Sequence, residues 1–121
     1  MSITYGRKIY GLKFEDEIEG IICIAYTNEV PHSVKELDMM SELVHMKKQP
    51  HKIAIAYTVW SRKRGAGREI IQKVLDHAKA EGVERVVTLS PLTPMATHFH
   101  IRNGAKQISI NDTTQNFEYE L

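Results

Sequence analysis

The segment from Lys52 to Ser90 constrains this chain more than any other. It reads KIAIAYTVW, then SRKRGAGREIIQKVLDHAKAEG, then VERVVTLS. The outer pieces have the branched, aromatic and nearly continuous apolar character of buried strands. Between them, Ile70, Ile71, Val74, Leu75 and Ala78 recur as one face of a helix, while Glu69, Lys73, Asp76 and Lys79 point elsewhere. Gly82 stands where a C-terminal glycine stop belongs. A helical crossover between two such strands makes them parallel neighbours in one sheet, since parallel strands need a long connection.

The flanking sequence adds antiparallel strands around that unit. Arg7 to Phe14 alternates as a strand, with Ile9, Leu12 and Phe14 among its apolar members. The polar turn in FEDEIEG then leads to a second strand, Glu19 to Tyr26, so a hairpin is expected. Ser33 is a candidate N-cap with Glu36 three residues on, and Val34, Leu37, Met40, Leu43 and Met46 follow at helical spacing until Pro50 forbids continuation. After the parallel unit, Thr93 and Pro94 open a short helix that Gly104 ends. KQISI and NFEYEL flank the turn NDTTQ as a closing hairpin. The order is strand, strand, helix, strand, helix, strand, helix, strand, strand: an α/β (α+β) chain with helices on both faces of a mixed sheet.

Length and charge limit what such a fold can do. The 121 residues suit a single domain covering 1–121. Sixteen Lys and Arg against fifteen Asp and Glu argue against a surface built as a whole for nucleic acid. The longest apolar run, Gly20 to Tyr26, is too short to span a bilayer, and no N-terminal segment reads as a signal peptide. A soluble, cytoplasmic protein without membrane contact is therefore expected. One cysteine, Cys23, cannot form an internal disulfide, and in an apolar strand it reads as core. Six histidines invite a metal reading, yet His98 and His100 stand two apart on a helix and face different directions. No Cys or carboxylate completes a ligand set, so no metal is expected.

The turn SRKRGAG carries the clearest chemistry. A helix start leaves backbone amides without partners, and its dipole favours negative charge. Gly65 and Gly67 would let a phosphate approach the backbone, and Arg62, Lys63 and Arg64 add positive charge beside it. From this stretch alone, a basic solvated turn with glycines kept for geometry is an equal reading. It is not a Walker loop, which needs Gly-Lys-Ser/Thr, nor a dinucleotide fingerprint, which needs a third glycine at fixed spacing.

Arg62-Lys63-Arg64-Gly65-Ala66-Gly67 resembles the Arg/Gln-x-x-Gly-x-Gly/Ala cofactor motif of the GNAT superfamily of acetyl-CoA-dependent acetyltransferases. The resemblance extends to ATHFHIRNGA, where Ala96, Phe99 and Gly104 fall in register with the family's later helix. It covers roughly Phe14 to the C-terminus. Chain length and AYTVWSRKRGAG also resemble small GNAT-like proteins of bacteriophages. The resemblance implies a mixed, mostly antiparallel six-stranded sheet whose central parallel strands splay apart. It implies acetyl-CoA as acetyl donor, with pantetheine held by backbone at Tyr57, Thr58 and Val59. The pyrophosphate would lie at Arg62, Arg64, Gly65, Ala66, Gly67 and Arg68. His100 matches the family's thiolate-protonating Tyr.

Three departures stand out. His100 replaces that Tyr, Ala105 stands where an aromatic residue follows the glycine, and the helices that wall the acceptor site have no counterpart before Arg7. The helix from Ser33 to Met46 could rebuild that wall or offer a homodimer face. Glu29, His32 and His51 lie near strand ends where an acceptor could be contacted. Two functions follow: an N-acetyltransferase acting on an unidentified amine, or a GNAT-fold binding protein acting through protein or nucleic-acid contacts.

Overall fold

The computed structural model describes residues 7–48, 52–62 and 65–121. Lys63, Arg64 and His51 lie outside them. The first hairpin joins β1 (Arg7–Phe14) to β2 (Glu17–Thr27). Its two turn residues, Glu15 and Asp16, take φ of 50° and 72°. Left-handed geometry at both positions is what a two-residue loop needs to match the twist of its strands.

Helix α1 (Val34–Met46) begins as its sequence implies, with Ser33 Oγ accepting from the Glu36 amide at 3.1 Å. Strand β3 (Ile53–Ser61) and helix α2 (Ala66–Glu81) follow, and Gly82 closes α2 with φ of 79°. The expected strand from Val83 to Ser90 divides into β4 (Arg85–Thr88) and the two-residue β5 (Ser90–Pro91). Helix α3 (Pro94–Arg102), capped by Thr93, leads to the hairpin of β6 (Lys106–Ile110) and β7 (Thr114–Tyr119).

Among the described residues, seven strands form one sheet in the order β1-β2-β3-β4-β7-β5, with β6 also paired to β7, and β3 and β4 are the one parallel pair. The sheet has one strand more than expected because Leu89 interrupts the strand after α2. Beyond it the chain pairs with β7 alone.

Each face of the sheet has its own core. Ile22, Ile24, Tyr26, Ala54 and Ala56 meet Ile70, Ile71, Val74 and Ala78 of α2, with Phe99 of α3 packed at the margin. On the other face, Ala25, Ile53, Ile55, Val87 and Leu89 lie beneath Leu37 of α1. The alternation of side chains along β2 and β3 explains the division.

The apolar stripe of α1 is only partly used. Leu37, Ser41 and Val44 are buried, following the three- and four-residue steps of a helix lying flat on a sheet. Val34, Met39, Leu43 and Met46 are exposed instead. The stripe expected from Val34 through Met46 is therefore rotated toward Ser41, a small residue that lets the helix approach the sheet. No helix among the described residues is long and apolar enough to cross a membrane.

Candidate active site

The parallel pair is closed at one end and open at the other. Ile53 to Ala56 pair with Arg85 to Thr88, and the Leu89 amide donates to the Ala56 carbonyl at 2.9 Å. Past that bond β4 turns away. Ser90 and Pro91 pair with Gln115 and Thr114 of β7, while β3 runs on to Ser61 beside β2 alone.

A bulge in β3 falls at the same point. Cys23 is opposite Thr58 and Ile24 is opposite Ala56, so Tyr57 is the extra residue. Bulges bend a strand and sharpen its twist, which steers Tyr57 to Ser61 away from β4. The expected pantetheine contacts at Tyr57, Thr58 and Val59 thus lie on a strand edge that no strand pairs with among the described residues.

Side chains hold the opposite wall in place. Asn116 of β7, fully buried, donates through Nδ2 to the Thr88 carbonyl at 2.8 Å and to the Pro31 carbonyl at 2.9 Å. Ser90 Oγ donates to Thr88 Oγ1 at 2.8 Å, and the Phe117 amide also donates to Thr88 Oγ1 at 3.1 Å. Thr114 Oγ1 donates to the His32 carbonyl at 2.7 Å, fixing His32 beside the residue paired with Pro91. Glu29 precedes the same loop and accepts from Thr27 Oγ1 through its carbonyl at 2.6 Å.

The wedge between these walls encloses about 310 Å³ and is lined by Tyr57, Val59, Leu89, Ser90, Phe99 and His100, among others. Arg7 lies 4.9 Å over the Tyr57 ring and pairs with Asp38 of α1, so both β1 and α1 brace the mouth of the wedge.

A second cleft of about 320 Å³ adjoins the first. Its lining includes Ser61, Gly65, Gly67, Arg68 and Phe99, and it shares Ser61 and Phe99 with the wedge. Here α2 begins. Gly65 is its N-cap, with φ of 90° and no side chain bonded to the amides that follow. Those amides are therefore available to an anion, and the helix dipole adds to their pull. Gly67 has a different reason to be glycine. A Cβ there would stand 2.5 Å from the Phe99 ring and 3.3 Å from Ser61 Oγ. Phase and packing, not phosphate approach alone, keep it small.

His100 lines the wedge. It is 4% exposed, its Nδ1 is 2.7 Å from Tyr119 Oη, and the rings of Phe99 and Phe117 flank it. Burial pushes its pKa down to about 4, and burial also pushes the Tyr119 hydroxyl up. The near-neutral titration ordinary for a histidine is thus not what the fold gives it: the ring is neutral at pH 7. His98 is exposed on the opposite side of α3. Cys23 is half-buried in β2. Among the described residues, no group of three His, Cys, Asp or Glu side chains is placed to hold a metal.

No protein-family model matches the chain, and no curated protein does either. Solved structures do match. PaiA N-acetyltransferase from Thermoplasma acidophilum, crystallised with coenzyme A, is 10% identical with a TM-score of 0.68, over 96% of this chain and 62% of that one. A protein of Desulfovibrio desulfuricans described as a GNAT-family acetyltransferase is 12% identical with a TM-score of 0.67, over 95% of this chain and 69% of that one. The Campylobacter jejuni N-acetyltransferase PseH, in complex with acetyl coenzyme A, is 8% identical with a TM-score of 0.63, over 95% and 68%. The chain has the GNAT fold. It spans about two thirds of the length of these neighbours.

Within the GNAT fold, part of the set expected from sequence lines the two clefts, while Thr58, Arg62 and Ala66 line neither and Arg64 lies outside the described residues. Tyr57 and Val59 of β3 and His100 of α3 line the wedge, and Gly65, Gly67 and Arg68 line the second cleft. Arg62 flanks the turn but pairs with Glu17 at 3.5 Å. The motif missed Ser61 and Phe99, which join the two clefts, and Arg102 and Asn103, which line the second. Phe99 was in register with the family helix, yet only folding brings α3 against Gly67.

Proposed function

We propose that the protein is an N-acetyltransferase that takes an acetyl group from acetyl-CoA and passes it to a primary amine on a small molecule or a protein. One observation carries this reading: the wedge and the uncapped start of α2 are parts of one groove, joined through Ser61 and Phe99. A thioester in the wedge and a pyrophosphate at the amides of Gly65 to Arg68 would belong to a single extended ligand. Tyr57, Thr58 and Val59 would hold the pantetheine amides along the open edge of β3, and Arg62 and Arg64 would add charge near the phosphates.

The chemistry follows from this placement. A neutral amine forms the C–N bond, the carbonyl oxygen takes up negative charge, and the C–S bond then breaks. The ammonium must lose a proton and the departing sulfur must gain one. His100 is neutral at pH 7, which suits a relay better than an imidazolium acid. In the tautomer with its proton on Nδ1, beside Tyr119 Oη, its Nε2 offers a lone pair to the wedge it lines. It would accept the ammonium proton there and return it to sulfur. The acceptor would approach from the face carrying α1, where Tyr57 and the anchored loop at His32 stand beside the wedge.

Titration calorimetry with acetyl-CoA, followed by a thiol-release assay against polyamines, amino acids and lysine peptides, tests this. Micromolar binding and amine-dependent release are expected. His100→Phe should keep acetyl-CoA affinity and lower turnover roughly 10²- to 10⁴-fold. Absence of binding would overturn the proposal. Firm binding without turnover on any amine would favour a binding protein on the same fold.

A further inference from the structure

We propose that the acetyl acceptor is an apolar monoamine, aromatic or alkyl in its body, that lies on the exposed sheet face beside Trp60; the inference rests on the transferase reading above. Register fixes that face. Ile22 and Ile24 of β2 belong to the core that includes α2, and Val59 of β3 packs against it. Their neighbours along each strand therefore point to the α1 side, and residues directly opposite one another share a face. Ile21 stands opposite Trp60 and Gly11, and Cys23 stands opposite Thr58 and Ile9.

Cover on this side is uneven. At the closed end of the β3/β4 pair, Leu37 of α1 packs with Ala25 and Ile55, and both are fully buried. At the open end, Ile9 is 55% exposed and Trp60 47%, while Ile21 and Cys23 are half-buried. Trp60 belongs to both places, since it also lines the wedge. The exposed patch thus begins where the thioester would end.

Charge decides what can lie there. None of the described residues lining the wedge is an Asp, Glu, Lys or Arg. Arg7, stacked on Tyr57, pairs with Asp38, and Arg62, just beyond Trp60, pairs with Glu17 at 3.5 Å. Lys13, exposed near the hairpin turn, is a further cation. A polyamine or a lysine-rich peptide would bring more positive charge to this side and find no carboxylate in the wedge lining to hold it. Attack on the thioester needs a neutral amine, and a surface without charge favours that form. A ring or alkyl chain laid on Trp60, Ile21 and Ile9 gains burial without stranding a charge.

Trp60 is the single tryptophan of the chain, so its emission reports the patch without turnover. The full chain, with and without coenzyme A, is titrated with 2-phenylethylamine, hexylamine and spermidine; the same amines and a lysine peptide are then compared in acetyl-CoA-dependent thiol release. A saturable emission change is expected with the first two amines and not with spermidine. Their kcat/KM should exceed that of spermidine and of the peptide by roughly tenfold or more, and should rise about twofold to threefold per methylene from propylamine to hexylamine. Trp60→Ala should raise KM for 2-phenylethylamine roughly tenfold with kcat nearly kept, and Trp60→Phe should restore most of the loss. Preference for spermidine or the peptide, or an emission unmoved by 2-phenylethylamine, would overturn this proposal while leaving the transferase reading intact. A dimer in sedimentation that Trp60→Ala dissociates would assign the patch to a second copy and overturn it too. If acetyl-CoA does not bind, or binds without thiol release on any amine, both readings fall.

Discussion

The two ends of the β3/β4 pair differ in almost every respect. At the closed end, Ile53, Ala54, Ile55 and Ala56 meet Val86 and Val87, all buried, and backbone bonds hold the strands together. At the open end, Tyr57 is half-buried, Thr58 and Trp60 are exposed, and the strands part. The comparison teaches how a sheet makes room for a ligand without leaving polar groups stranded. On the β4 side the Asn116 side chain takes up the Thr88 carbonyl, and the Thr88 hydroxyl accepts from Ser90 and from the Phe117 amide, while the β3 edge stays available. Buried polar groups are tolerable only when satisfied, and these are.

Replacing Asn116 should break this contrast most severely. Asn116→Ala removes donors to the Thr88 and Pro31 carbonyls and the acceptor used by Ser109 and Asn111. With buried carbonyls left unpaired, a loss of roughly 3 to 4 kcal/mol is expected, read as a lower urea midpoint. A loss under about 1 kcal/mol would show that the open end does not depend on this network.

Acid should act on the open end through His100. Its folded pKa, near 4, lies below the ordinary 6.5, so the unfolded chain binds the proton first as pH falls. Stability is therefore full above about pH 6.5 and declines toward pH 4, by on the order of 3 kcal/mol from this group. Urea midpoints at pH 7 and pH 5 should differ in the wild type, and His100→Phe should reduce the difference. An unchanged pH dependence would mean the ring is not buried in its neutral form.

The glycines of the turn separate by size of effect. Gly67→Ala puts a Cβ against Phe99 and should cost about 2 kcal/mol, since overpacking forces α3 or its ring to move. Phe99→Ala in the same chain should recover part of that loss, a coupling measurable as a double-mutant cycle. Gly65→Ala meets no atom within 4 Å and strains only φ at 90°, so about 1 kcal/mol is expected. Equal costs at both positions would contradict the different reasons assigned to them.

Much of this was legible along the chain. The strand, helix and strand order, the Ser33 and Thr93 caps and the Gly82 stop rest on neighbours within one turn, and local propensity speaks for them directly. The start of α2 at Gly65 was legible in the same way. The register between β2 and β3 that makes Tyr57 a bulge was not legible, nor was the parting of Ser90 from β3 while it stays paired with β7. Both depend on partners distant in sequence.

The sequence by itself determined the parallel unit, the glycine-started helix that crosses within it, and the basic residues around that start, because period, caps and positive φ are properties of short segments. Tertiary structure decided what those pieces surround. It set Phe99 against Gly67, buried His100 beside Tyr119 so that its proton is lost well below neutrality, and brought Arg102 of α3 to the same cleft as Arg68 of α2. The reason is desolvation and close packing between separate elements: neither a histidine's pKa nor a glycine's necessity can be read until the side chain that excludes water or fills the space is known.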